Sequence, residues 1–173
     1  QSIAAKVLYD HLKLNHDVNF IDLSLASKHD GSITLSRVFQ VIKTIYLIRN
    51  CAKKADYIYL TISESIAGNI KDLFIYLVCK KKFSKFYIHL HGGSIKKHVF
   101  DKSFILRKLN HIVIEKLAGV FVSGESHKHI FSSMVEEKKL HIVRNFAEDY
   151  MFYNKELVKK KFLSCYPLKI VYV

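Results

Sequence analysis

Apolar positions along this chain switch repeatedly between a helical period and short continuous runs. Ile3, Val7, Leu8 and Leu12 recur at helical spacing behind Ser2, a capping residue type, and predict a helix to about residue 15 with those four on its buried face. A short strand over residues 18–23 follows. Leu35, Val38, Phe39, Ile42, Ile45 and Tyr46, with Ser36, Arg37, Gln40 and Lys43 between them, predict a second helix over residues 35–53. Residues 56–62 are nearly continuous Tyr, Ile and Leu, as in a strand covered on both faces. The pattern then alternates: helix 69–82, strand 86–90, helix 102–117, strand 120–123, a helix after Glu125, and strand 141–143. A helix over residues 155–163 precedes Pro167, and residues 168–173 read as one more strand.

Strands alternating with amphipathic helices predict an α/β fold, a mainly parallel sheet with crossover helices in a Rossmann-like three-layer α/β/α arrangement. In such sheets a strand usually precedes the first helix. Here the helix comes first, so the first strand and its turn are expected upstream of Gln1. Pro167 marks the expected domain junction: residues 1–166 form one domain, and residues 167–173 open the next. With one proline and six glycines in the whole sequence, there is no linker-like tract to divide residues 1–166 further.

Composition narrows the setting. Half of the 173 residues are hydrophobic, enough for one substantial core. No apolar run reaches the roughly 20 residues of a membrane-spanning helix. Cys51, Cys79 and Cys165 are odd in number and widely spaced, which fits a reducing cytosol better than a disulfide framework. Lysine and arginine outnumber acids 28 to 15, giving a net charge of +13 and an expectation of an anionic partner: nucleic acid, an acidic membrane surface or a phosphorylated substrate. The cations cluster at Lys80, Lys81, Lys82 and Lys85, at Lys96 and Lys97 with His98, at Arg107 and Lys108, and at Lys159, Lys160 and Lys161.

Ligands bind open parallel sheets at the carboxyl ends of the strands, so the loops after each strand hold the candidate chemistry. After residues 56–62 come Ser63, Glu64, Ser65, Ile66, Ala67, Gly68 and Asn69, a small-residue turn whose amides could hold hydroxyl or phosphate groups, with Ser65 or Asn69 as a plain helix cap in the alternative. After residues 86–90 come His91, Gly92, Gly93 and Ser94. His89 and His91, two apart on an extended chain, share a face, and the glycines permit close approach. Ser123 ends the next strand and either caps the following helix or lines the cleft. Arg144 and Asn145 end the one after that.

The string Phe86-Tyr87-Ile88-His89-Leu90-His91-Gly92-Gly93 resembles the histidine-bearing strand and loop in the N-terminal domain of family-four retaining glycosyltransferases, which have the GT-B fold. Gln1-Ser2-Ile3-Ala4-Ala5 resembles the tail of their glycine-rich first loop, and Ala118-Gly119-Val120-Phe121-Val122-Ser123 their next strand. Leu140-His141-Ile142-Val143-Arg144-Asn145-Phe146 is similar to their strand ending in Pro-Asn-Gly, with Arg144 in place of the proline and Phe146 in place of the glycine. Residues 168–173 resemble the first strand of their C-terminal domain.

The resemblance implies that this domain holds a glycan or lipid-linked acceptor, as in cell-surface polysaccharide synthesis, while an absent C-terminal domain binds the nucleotide-sugar co-substrate. No other cofactor and no protein-held metal is implied. It makes His91 the catalytic contact to the donor sugar, with Gly92 and Gly93 on the cleft floor and Asn145 at the hinge. Ser65, Gly68, Asn69 and Ser123 join them as candidate substrate contacts, and Lys96 and Lys97 as cations for a lipid-linked diphosphate and the acidic lipid around it. The chain alone is expected to be inactive, and the full protein cytoplasmic, peripheral at the inner membrane face. Glu148 and Glu156 mimic the family's paired glutamates only by spacing. Nucleic-acid binding is the rival reading; the tyrosines argue against it, since they fall in apolar segments and read as core. A related epimerase or dehydrogenase would need a G-x-G-x-x-G fingerprint, whose usual position is upstream of Gln1, so the residues there would decide that reading.

Overall fold

The computed structural model describes residues 3–23 and 35–144. Expectations resting on Asn145, Phe146, Glu148, Glu156, residues 155–163, Cys165, Pro167 and residues 168–173 lie outside them. In chain order the elements are α1 (Ile3–Leu12), α2 (Leu35–Lys54), β1 (Ile58–Thr61), α3 (Ile66–Cys79), β2 (Phe86–Leu90), α4 (Phe104–Ile114), β3 (Gly119–Val122), α5 (Glu125–Phe131) and β4 (Leu140–Ile142). A 3-10 turn at Lys80–Lys85 leads into β2, and a π-helical turn at Lys96–Phe100 leads towards α4.

The four strands form one parallel sheet in the order β1-β2-β3-β4. Register aligns Leu60, Ile88, Val120 and Leu140 across it, with Leu90, Val122 and Ile142 one step on. These side chains share one face. They meet Ile48 and Ala52 of α2, Ile75, Tyr76 and Cys79 of α3, Ile95, Val99 and Phe100, Ile114 of α4, and Ile130 and Phe131 of α5 in a single core. Because consecutive strands are neighbours, right-handed crossovers put α3, α4 and α5 on the same side, and α2 joins them through Ile48 and Ala52. Helices α2 to α5 therefore form one layer, and the second helical layer of the expected three-layer sandwich is not supplied by them.

The opposite sheet face is aromatic. Tyr59 and Tyr87 align in one row, and Thr61, His89, Phe121 and His141 in the next. Tyr87 stacks on Phe121 at 5.6 Å between centroids, and Phe121 meets His141 at 5.5 Å. Tyr57 and Tyr59 are exposed, which corrects two expectations: among the described residues β1 is an edge strand covered on one face, and of the six described tyrosines three are exposed and two half-buried. Tyr76, packed edge-on against Phe86, is the one that is core.

Two further expectations change. Residues 18–23 form no strand; they have no ladder partner among the described residues, and Ile21 and Leu23 pack against the core from the side. Val7 of α1 is exposed, as are Phe39, Ile42 and Tyr46 of α2, whose buried stripe runs through Ile48 and Ala52 instead.

Helices α3 and α4 are tied by a reciprocal amide pair. Asn110 Nδ2 donates to Asn69 Oδ1 at 2.8 Å, and Asn69 Nδ2 donates to Asn110 Oδ1 at 3.2 Å; both residues are buried. Asn110→Ala leaves Asn69 unpaired in an apolar layer and is expected to cost about 1–3 kcal/mol in urea unfolding. Replacing both residues by leucine should cost less than the two single changes summed.

Candidate functional site

The carboxyl ends of β1, β2 and β3 come together at one edge of the sheet and are cross-braced there. Beyond β1, the Ser63 amide donates to Asp72 Oδ2 at 2.7 Å, so α3 reaches back to fix the turn. Asp72 is fully buried; burial raises its carboxyl pKa, opposed by the Ser63 amide and by Lys71, whose Nζ lies 3.7 Å from Oδ1. Ser65 is the N-cap of α3, accepting from the Gly68 amide at 3.2 Å. With the Asn69 amide bonded to Ser65 O, the turn's amides serve the helix, and Asn69 points its side chain at Asn110, away from the strand tips. Gly68 faces Ser63, leaving no room there for a β-carbon.

Beyond β2, the Ser94 amide donates to Glu64 Oε2 at 2.5 Å, which clamps the Gly92–Gly93 loop to the β1 turn. A β-carbon on Gly92 would collide with the Glu64 carboxylate, so a side chain there would displace the carboxylate from the clamp. His91 lies half-buried at the strand end, its ring 3.9 Å from that of His89. His89 is held from β1 by a short hydrogen bond between its Nδ1 and the Tyr59 hydroxyl. Nε2 of each histidine is buried without a hydrogen-bond partner. Burial, with the neighbouring His91 adding to it, lowers the His89 pKa to about 4. Burial also lowers that of His91, against an opposing pull from Glu64. Both rings are therefore neutral at pH 7.

Beyond β3, Ser123 Oγ donates to His91 O at 2.8 Å and lies 2.9 Å from His127 Nδ1. Since the hydroxyl proton is committed to the carbonyl, His127 donates from Nδ1, and its remaining ring nitrogen is Nε2. That nitrogen faces the second glycine: a β-carbon on Gly93 would stand 2.9 Å from it. Ser123 is thus a brace between strand ends and not a cap; the N-cap of α5 is Gly124, with no side-chain hydrogen bond.

Of the residues singled out from sequence, His91, Gly92, Gly93 and Ser123 come together, and Ser65 and Gly68 build the adjoining turn. Asn69 is turned into the helix layer. Lys96 and Lys97 sit exposed on the π-helical turn that follows the glycine loop. Glu64, Asp72, Tyr59 and His127 were not singled out. Glu64 follows a strand end and His127 lies four residues beyond Ser123, but their pairing across strands has no local signature. No group of three His, Cys, Asp or Glu side chains suited to a metal occurs among the described residues, and no helix among them is long and apolar enough to cross a membrane. No protein-family model, curated protein or solved structure matches the chain.

Proposed function

We propose that this chain is the acceptor-side domain of a retaining, nucleotide-sugar-dependent glycosyltransferase of the GT-B kind, its strand-tip edge forming one wall of the transfer cleft. The observation that carries the reading is a half-buried, neutral imidazole, His91, at the carboxyl end of a parallel strand beside two glycines. Sugar transfer passes through a cationic, oxocarbenium-like state. An imidazolium would repel that charge, whereas a neutral ring can hydrogen-bond a sugar hydroxyl without doing so. Burial supplies the neutrality.

The braces give the rest of the wall its roles. Glu64 sets the position of the Gly92–Gly93 loop through the Ser94 amide, and Ser123 holds the His91 carbonyl. His127, whose Nε2 lies beside Gly93, meets the hydroxyl of an incoming acceptor there. Lys96 and Lys97 supply positive charge beyond the loop for a lipid-linked diphosphate. This reading requires a second domain to bind the nucleotide.

The test is to incubate the intact protein with labelled nucleotide-sugars and a membrane-lipid or glycan extract, then follow label into product and the configuration of the new linkage. Transfer with retention is expected. Absence of transfer across the common donors, or inversion, would overturn the reading. A nucleic-acid reading has one observation in its favour, the exposed aromatic sheet face on a basic chain. Tight, steeply salt-dependent binding of single-stranded DNA or RNA in place of transfer would promote it.

A further inference from the structure

The outer surface of the helical layer is apolar where water would ordinarily meet polar groups. On α3, Asn69, Asp72, Tyr76 and Cys79 face inward, and the opposite stripe is Ile66, Ile70, Phe74 and Leu77, all exposed. On α2, Ile48 and Ala52 face the core while Phe39, Ile42 and Tyr46 point away, with 76, 59 and 64% of their surface open. Exposed Phe104, Ile105, Leu109 and Ile112 extend the pattern on α4. Helix α3 packs against both α2 and α4, so the stripes adjoin. A contiguous apolar surface of this kind marks an interaction face.

Charge identifies the partner. Helices α2, α3 and α4 and the Lys80–Lys85 turn together hold twelve lysines and arginines and a single carboxylate, Asp72, which is buried. Twelve of the chain's 28 lysines and arginines are therefore on this one layer, with no exposed acid on these elements to offset them. Cations alone would suit a nucleic acid or an acidic protein. Cations interleaved with outward-facing Phe, Ile, Leu and Tyr suit a surface that is anionic at its top and hydrocarbon beneath.

We infer that α2, α3 and α4 form a face that lies on an anionic lipid bilayer, with Phe39, Tyr46, Ile70, Phe74 and Leu77 entering the headgroup–acyl boundary. Lys43, Lys80, Lys81 and Lys108 lie over lipid phosphates. The inference needs nothing from the sugar-transfer reading, and it uses residues distinct from Lys96 and Lys97.

The sequence contains no tryptophan, so a single substitution makes a clean optical reporter. Phe74→Trp places it on the proposed face, and Tyr57→Trp places it on the opposite sheet face at a site that is 69% exposed. On vesicles of phosphatidylglycerol and phosphatidylcholine mixed equally, the Phe74→Trp emission should shift to the blue and be quenched by acyl-brominated lipid, while Tyr57→Trp should not change. Phosphatidylcholine alone should give no shift. The triple variant Lys43→Gln, Lys80→Gln, Lys108→Gln should partition about 100-fold more weakly. Thermal unfolding followed by circular dichroism verifies that each variant is folded. An unmoved Phe74→Trp signal would overturn the inference, as would a shift confined to Tyr57→Trp, equal partition onto neutral vesicles, or binding to single-stranded DNA in preference to vesicles.

Discussion

His91→Ala in the intact protein is expected to lower kcat for sugar transfer by about 100- to 1000-fold, the usual cost of losing one placed hydrogen-bonding group from a transition-state site. The binding of the nucleotide-sugar should change far less, because in this account the nucleotide is held by the other wall. His91→Asn keeps one N–H near the same place and should recover part of the rate. A merely structural role predicts the reverse pattern: loss of stability in both variants, with rates falling only as far as the folded fraction. Removing His91 also removes one of the two influences that keep His89 neutral, so the domain should not be less stable at acid pH than the parent. Rates at pH 7 and unfolding midpoints at pH 5, measured on the same preparations, separate the two explanations.

Acidification from pH 6.5 to 4 is expected to destabilise the domain by about 3 kcal/mol at most through His89. The residue is 3% exposed, and burial followed by the proximity of His91 lowers its pKa from 6.5 to about 4. Within that window the unfolded chain binds a proton that the folded chain refuses. The stabilisation is complete above the unfolded value and is lost as pH falls through the folded one. His91 acts in the same direction, since burial lowers its pKa as well. Asp72 acts in the opposite direction: its folded pKa is raised, so protonation stabilises the native state as pH falls towards the ordinary carboxylate range. Urea midpoints at pH 7 and pH 4.5 for the parent and for His89→Phe provide the measurement. The parent should lose much of its stability and the variant much less; parallel losses would mean that His89 does not titrate in this way.

Much of the sheet was legible because buried strands advertise themselves. The run Phe86-Tyr87-Ile88-His89-Leu90 predicts β2 to the residue, and β3 and β4 fall within one residue of the expected strands. A period reports which residues share a face, but not which face meets the core. Phe39, Ile42 and Tyr46 make a helical stripe as regular as the buried one, and only packing against α3 reveals that they point outward. The same limit hid the aromatic face: Tyr57 and Tyr59 alternate with Ile58 and Leu60, which reads as a doubly covered strand until the helices are found on one side.

At the strand tips, His91, Gly92 and Gly93 could be found from their place after a strand. Their partners could not. Glu64 meets the Ser94 amide across thirty positions, and Asn69 meets Asn110 across forty-one, so a turn residue that resembled a ligand contact is a tie between helices. Ser123 illustrates the same difficulty over a short distance. A serine at a strand end before a helix fits a cap, and only the His91 carbonyl shows that its hydroxyl belongs to the neighbouring strand.

Amide hydrogen exchange in the intact protein, with and without a nucleotide-sugar and a lipid or glycan acceptor, tests the central claim most directly. Added protection is predicted at residues 63–68, 91–94 and 123–127, the three braced strand ends. Protection confined to the aromatic face around Tyr59, Tyr87 and Phe121, with those turns unchanged, would contradict it.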